Sequence, residues 1–409
     1  MPKAISYSKG SIIYFEGDLD NRVFILQKGT IYSSSKDIET RENVTAIIKT
    51  GEFFGVRSAV GHFPREETIT VLEDSVCVAL SLQEFENIFS TNKTVMMKML
   101  QVFSSQLRQI HKKIESILKR DNIISQDAGM YAVAQSFFND SKWQSCLDVA
   151  SSTLKLYPDH SNKADLQKMV KTAAAHVAKE EPNEIYYSED QKSRLASQLF
   201  ELPAFKRFSK TYKDGQVIIA EFEKGETFYM IQKGTVQLTK CANGKNKNID
   251  ILKPGELFGE MAILDNSPRS ATCLARGKVD ALEFNKANFQ VLVTGNPQIA
   301  LNLLKTFCKR IFDQKRRFKI LLITDPQVRV ADVFCMFDEI TPTANPDSRT
   351  KKFNLTIADV AQWAGLQLEE TTNQIDHFVS IKRLEIVENQ MIVDIQEMRR
   401  IVETRANIK

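Results

Sequence analysis

A chain of 409 residues exceeds what one hydrophobic core organises, so two to four domains are expected. Apolar residues at 43% and charged residues at 26% are those of an ordinary soluble globular protein, and no apolar run approaches the roughly 18 residues of a membrane span. The net charge of +4 permits a nucleic-acid partner without demanding one. Residues 1–30 lack a signal-peptide pattern, which together with the absent span points to the cytoplasm and to no membrane partner. Six cysteines without a C-x-x-C pair and five histidines without ligand spacing predict neither a disulfide framework nor a metal site. No paired carboxylate or nucleophile–base set stands out, so no catalytic residue is nominated and an enzyme is the weakest class.

An internal repeat comes next. Gly10-Ser-Ile-Ile-Tyr leads to Phe24-Ile-Leu-Gln-Lys-Gly-Thr30, and Gly215-Gln-Val-Ile-Ile leads to Tyr229-Met-Ile-Gln-Lys-Gly-Thr235. Gly51-Glu-Phe-Phe-Gly55 and Pro64-Arg65 likewise match Gly255-Glu-Leu-Phe-Gly259 and Pro268-Arg269. Each copy opens with short β-branched and aromatic strands punctuated by glycine, which predicts a jelly-roll barrel. Each closes with a long amphipathic helix, the first carrying Met96, Leu100, Phe103, Leu107, Ile114 and Leu118 up to Arg120, the second Ile299, Leu303, Phe307, Ile311 and Phe318. Between the copies, residues 125–178 read as helical, and Glu180-Glu181-Pro182-Asn183 as a linker.

The stretch Pro254–Ala275 carries the chemistry. Gly255 and Gly259 bracket Leu257-Phe258 as at the end of a strand, and Glu260 opens a short helix. Asp265-Asn266-Ser267-Pro268 forms a loop and Arg269 follows the proline. N–H groups at a helix start attract an anion, a guanidinium clamps a phosphate and a carboxylate accepts from a sugar hydroxyl. The pattern F-G-E, apolar run, loop, P-R-S-A-T resembles the phosphate-binding cassette of cyclic-nucleotide-binding domains. That resemblance implies Glu260 on the ribose hydroxyl and Arg269 on the cyclic phosphate. Gly259, Met261, Ala262, Ser270 and Ala271 would line the same site, and the adenine would meet the long helix near Asp313 and Gln314. The effector would be a cyclic mononucleotide, cAMP ahead of cGMP.

The first copy departs from the pattern. Val56 stands where the second copy has Glu260, and Glu66-Glu67 stand where it has Ser270-Ala271. Two carboxylates beside the arginine oppose an anion, so this barrel reads as a structural or regulatory copy. The alternative is a different ligand held by Arg57 and Arg65.

Residues 127–158 resemble one tetratricopeptide repeat, either a packed helical spacer or a partner-binding element. From Asp325 onward the chain resembles the DNA-binding part of the catabolite activator (Crp–Fnr) family. Thr356 reads as a helix N-cap with Asp359, Gly365 as the turn, Glu369–Phe378 as the recognition helix, and Lys382 to Val393 as a wing with Asn389-Gln390 at its tip. The resemblance implies a homodimer along the long helices and DNA contacts from Thr356, Gln367, Glu369, Thr371, Thr372, Asn373, Lys382 and Arg383. The family's arginines are replaced by Leu368 and Asn373, and residues 349–409 hold nine basic and nine acidic side chains. Lys351, Lys352, Lys382, Arg383, Arg399 and Arg400 must therefore supply the phosphate contacts, or the element is a docking surface.

The expected fold class is α+β multidomain. It comprises a degenerate barrel over 1–122, a tetratricopeptide-like spacer over 123–182, a cyclic-nucleotide-binding barrel with its long helix over 183–322, and a winged helix-turn-helix over 323–409. The implied function is a cyclic-nucleotide-responsive transcription regulator. The alternative is a signalling adaptor resembling the regulatory subunit of cyclic-nucleotide-dependent kinases.

Overall fold

The computed structural model describes residues 2–117, 125–180, 185–186, 203–242, 245–265, 267–340, 348–387 and 390–406. They form two compact units, Met1–Ile114 with Val293–Lys409, and Glu115–Leu292. No described helix is long and apolar enough to cross a membrane. Leu118, Arg120, the loop 341–346, most of the 180–183 linker and Asn389 lie outside the described residues.

The first unit opens with a six-stranded antiparallel sheet. Its order is Lys3–Tyr7, Thr68–Leu80, Val23–Lys36, Asn43–Ile48, with Ile12–Tyr14 and Phe53–Phe54 pairing the two central strands. Alternation of apolar side chains along Thr68–Leu80 sends Ile69, Val71, Cys77 and Ala79 into a core shared with Tyr14, Phe24, Leu26 and Phe54. The second unit repeats the order as Ser209–Tyr212, Thr272–Asn285, Thr227–Ala242, Lys245–Leu252, with Val217–Ile219 and Leu257–Phe258 added in the same places. The shared Gln-Lys-Gly-Thr has a physical cause. Gly29 and Gly234 both sit at positive φ (98° and 79°) beside register shifts, where a Cβ would come 2.2 Å from Ser75 Oγ and from Lys278 O respectively.

Two helices follow the first sheet, Leu82–Thr91 and Lys93–Ile117. Ser81 and Glu84 close a capping box at the start of the former. The long helix Pro297–Leu321, which the sequence joins to the second barrel, groups with the first, against Val56–Gly61 and Leu82–Thr91. Its contacts explain this. Phe312 stacks on Phe63 at 4.0 Å between ring centroids, Lys305 Nζ lies 2.8 Å from Glu86, and Lys315 Nζ lies 3.0 Å from Glu66.

Beyond it, helix Pro326–Ile340 starts at Asp325, whose carboxylate accepts from the Gln327 N–H at 2.8 Å. Arg329 reaches back to the carbonyls of Ile323 and Leu321, tying this helix to the end of the long one. Helices Ile357–Ala364 and Leu368–Ser380 follow, joined at Gly365 with φ 67°. The Thr356–Asp359 capping box is present, with Asp359 N–H donating to Thr356 Oγ1 at 3.2 Å and Thr356 N–H to Asp359 Oδ2 at 2.9 Å. A three-stranded sheet, Thr350–Phe353, Gln390–Asp394, Leu384–Val387, and helix Ile395–Ala406 complete one core around Val330, Phe334, Ala364, Ile375, Phe378 and Met398.

In the second unit, helices Gln126–Asn139, Trp143–Leu156 and Lys163–Val177 bury Met130, Val133, Phe137, Val149 and Leu166 in a core that continues to Ala220 and Leu274 of the barrel. Ser145 Oγ donates to Gly215 O at 2.6 Å, and the Val217 N–H donates to Asp148 at 2.8 Å. Burial pushes the Asp148 carboxyl up to about 6, against the Val217 and Gln144 hydrogen bonds that pull it down. The folded chain therefore keeps this proton to higher pH than the unfolded chain, so the group's contribution to stability falls between about pH 4 and about pH 6 and is flat above. Asp148→Asn is expected to remove that component. Denaturant titrations at pH 4 and pH 7 should show the variant losing less stability than the wild type over the interval; equal losses would contradict it.

Candidate functional site

The pairing of Leu257 with Met230 and Phe258 with Tyr229 ends the strand at Gly259, with the Tyr229 and Phe258 rings stacked at 5.1 Å. Gly259 takes φ 80° and hands the chain to helix Glu260–Asp265. Met261, Ala262 and Ile263 are buried and seat that helix; Glu260, in its first turn, is 1% exposed. Arg269 is fixed at both ends. Its N–H donates to Glu223 O at 2.8 Å and its carbonyl accepts from the Phe222 N–H at 3.1 Å. Nη1 donates to Gly259 O at 2.7 Å and Nη2 to Thr227 Oγ1 at 3.0 Å. Burial pushes the guanidinium pKa down, and the Glu223 and Glu260 carboxylates are among the groups that act against this. No carboxylate among the described residues pairs with it directly, so a buried cation is held by neutral oxygens. Ser270 and Ala271 are half-buried beside it.

The first copy builds the same frame and cancels the charge. Arg65 Nη1 donates to Gly55 O at 2.8 Å and Nη2 to Arg22 O at 2.6 Å, matching the second copy. Asp20 then places a carboxylate 3.3 Å from Arg65 Nη2, and the Tyr14 ring covers the guanidinium at 4.3 Å. At the repeat offset Asp20 corresponds to Gly225, where a Cβ would come 2.2 Å from Ala262 Cβ and 3.2 Å from Arg269 Cζ. Glu66 and Glu67 are taken up by Arg57, at 3.0 Å from Nε and 3.4 Å from Nη2. Asp20 and Gly225 are the residues missed on the sequence; carrying the repeat four positions upstream of Tyr229 would have found the pair.

Gly259, Glu260, Met261, Ala262, Arg269, Ser270 and Ala271 share one cassette, whereas Gln314 is 7% exposed on the long helix of the other unit. Of the nucleic-acid candidates, Gln367, Glu369 and Asn373 are exposed at or near the start of Leu368–Ser380. Thr371 is a correction: it is fully buried and its hydroxyl donates to Gln367 O at 3.0 Å, because it lies on the face that carries Ile375 and Phe378. Thr372 donates to Leu368 O, and the Thr356 hydroxyl is engaged in its cap. Lys351 is also a correction, 5% exposed and 3.5 Å from Asp338. Arg383 pairs with Asp394, Arg399 with Asp338 and Arg400 with Glu397, leaving Lys352 and Lys382 exposed without an acidic partner among the described residues. Among the described residues no cluster of three or more potential metal ligands occurs.

Such a pair of cassettes on duplicated barrels defines a class. Residues 4–92 and 209–296 each match the cyclic nucleotide-binding domain, so the chain carries two such domains within an α+β multidomain architecture. It is 25% identical over 165 residues to the CRP-like cAMP-activated global transcriptional regulator of Mycobacterium tuberculosis, spanning 40% of this chain and 74% of that protein. It is 37% identical over 86 residues to the cAMP-dependent protein kinase regulatory subunit of Blastocladiella emersonii, spanning 21% of each. A CooA mutant from Carboxydothermus hydrogenoformans aligns with 54% of this chain and 99% of its own at 17% identity and TM-score 0.43.

Gly259→Ala tests the cassette frame. The new Cβ would lie 2.8 Å from Ile219 Cδ1 and 2.9 Å from Arg269 Nη1 at a left-handed φ. A loss of about 1–3 kcal/mol in stability is expected, with weakened cyclic-nucleotide binding. Thermal unfolding and calorimetry together check it.

Proposed function

We propose that the protein is a cyclic-nucleotide-responsive DNA-binding transcription regulator whose effector, cAMP ahead of cGMP, binds the second barrel alone. The observation that carries this reading is the charge contrast: Arg269 rests on neutral oxygens, while Arg65 in the same frame faces Asp20 at 3.3 Å. In the bound state Arg269 holds the cyclic phosphate and Glu260 the ribose hydroxyl, with Gly259, Met261, Ala262, Ser270 and Ala271 around them. The strand after the cassette, Thr272–Asn285, runs through helix Lys286–Gly295 directly into Pro297–Leu321, so the chain itself links the ligand site to Asp325, where the next helix begins. The effector shifts that segment only by binding one arrangement more tightly than the other.

The helices flanking Gly365 and the following hairpin serve as a winged helix-turn-helix, working as a homodimer. With Lys352 and Lys382 as its unpaired exposed cations among the described residues, contact with the DNA backbone is sparse. Gel shifts at several salt concentrations are expected to give a shallow slope, roughly −2 per protomer in log K against log salt. A steep slope would overturn the contact assignment, and no binding with or without cAMP would remove DNA as the target. That last outcome favours the second reading, a cyclic-nucleotide-binding adaptor acting through protein partners, which the kinase regulatory-subunit similarity also supports.

A further inference from the structure

The first barrel is not solid. A cavity of about 560 Å³ opens between its cassette and helix Lys93–Ile117, a size that suits a small organic molecule. Ile48, Phe53, Val95, Met99, Val102 and Phe103 give it an apolar wall. Val102 is 43% exposed at the rim, an apolar side chain left facing solvent where the wall opens.

The charges on the wall decide what enters. Arg65, the counterpart of Arg269, is not among them; its side chain is fully buried behind Tyr14 and paired with Asp20. The ionisable groups that do line the cavity are Arg57, Lys98, Glu52 and Glu67, two cations and two carboxylates. Inside, Arg57 Nη2 lies 3.4 Å from Glu67, its Nη1 donates to Gln106 Oε1 at 3.2 Å, and its Nε is 3.0 Å from Glu66. An anion at this end would meet the Glu67 carboxylate, and a cation would meet Arg57, so each pays a desolvation cost that the Arg57–Glu67 pair does not return, while the remaining lining cation, Lys98, is exposed to solvent. A neutral polar head can instead share the Gln106 amide and the Ser33 and Ser58 hydroxyls.

We propose that the first barrel binds an uncharged, largely apolar small molecule with one hydrogen-bonding head group, in the cavity between residues 51–58 and helix Lys93–Ile117. The head reaches Arg57, whose Nε holds Glu66, and Glu66 in turn holds Lys315 of the long helix Pro297–Leu321 at 3.0 Å. Occupancy of the cavity therefore bears on the same ion-pair chain that fastens the long helix to this barrel.

Titration calorimetry of the full chain with 1-octanol, octanoate and octylamine separates the possibilities, since the tails are identical and only the head charge differs. One saturable site per chain is expected for 1-octanol, with at least tenfold weaker binding of both charged analogues. Val102→Trp, which fills the rim without entering the core, should abolish it while leaving the circular dichroism spectrum and melting profile intact. Should that variant unfold, Val95→Trp serves the same purpose. Tighter binding of octanoate, equal binding of all three, no saturable binding, persistence in a folded filled variant, or displacement of 1-octanol by cAMP would each overturn the proposal.

Discussion

Arg269→Ala is expected to weaken cyclic-nucleotide binding by roughly thirty- to a thousandfold, the equivalent of about 2–4 kcal/mol for a desolvated charge-assisted contact. Arg269 is 6% exposed and among the described residues its terminal nitrogens hydrogen-bond to Gly259 O and Thr227 Oγ1 and to no carboxylate, so a bound phosphate would receive a cation not already neutralised. Arg65→Ala makes the control, because that guanidinium occupies the same frame but is spent on Asp20, and its loss should leave nucleotide affinity unchanged. Calorimetry on both variants reads the difference directly. A comparable loss in the two, or none in Arg269→Ala, would contradict the assignment.

A second large effect is expected where the long helix Pro297–Leu321 meets helix Pro326–Ile340. Arg316 on the long helix donates to both oxygens of Asp332, at 2.9 and 2.6 Å, and to both of Glu339, at 3.1 and 2.8 Å. Burial alone would lower the guanidinium pKa, yet the hydrogen bonds it donates to Asp332 and then Glu339 hold it well above its usual value. Asp332 is 4% exposed, so Arg316→Ala strands a buried carboxylate and should cost about 3–5 kcal/mol of local stability. Trp363, partly buried against the same core as Phe334 and Met398, reports on this region when Trp143 is replaced by Phe. In that background Arg316→Ala should lower the denaturant midpoint of Trp363 fluorescence, whereas the exposed Lys309→Ala should not. An unchanged midpoint in Arg316→Ala would show that the four contacts do not brace the junction.

Most of the cassette was legible in the sequence because its parts are local. Gly259, Glu260 and Arg269 lie within eleven residues, and the turn geometry follows from their types. The duplication was legible for a related reason: Gly29 and Gly234 answer an identical steric demand, so the residues recur. The capping box at Thr356 and the turn at Gly365 are also short-range and hold as read. What escaped depends on distant partners. Asp20 meets Arg65 across forty-five positions, and only aligning it with Gly225 shows that one cassette carries a cancelling charge.

Helical periodicity marked Pro297–Leu321 as amphipathic but could not say which barrel its apolar side covers; Phe63 and Glu66, belonging to the other copy, supply the answer. Thr371 looked available for base contact because its type suits it, while its position on the Ile375–Phe378 face buries it. Lys351, by the same logic, counted as a surface cation until Asp338 was found beneath it. Gly129 belongs with these. A Cβ there would strike the Phe222 ring at 2.6 Å, and Phe222 itself sits at φ 71°, pinned by the Arg269 carbonyl. The helical spacer thus packs one residue away from the cassette frame, a juxtaposition with no local signature.

The number of cAMP molecules bound per chain is the measurement that bears most directly on two unlike barrels. Titration of the wild-type chain should saturate at one equivalent, and the Arg269→Ala chain should show none at the same concentrations. Two equivalents per chain, or a single site that survives in Arg269→Ala and disappears in Arg65→Ala, would contradict the assignment of the nucleotide to the second barrel.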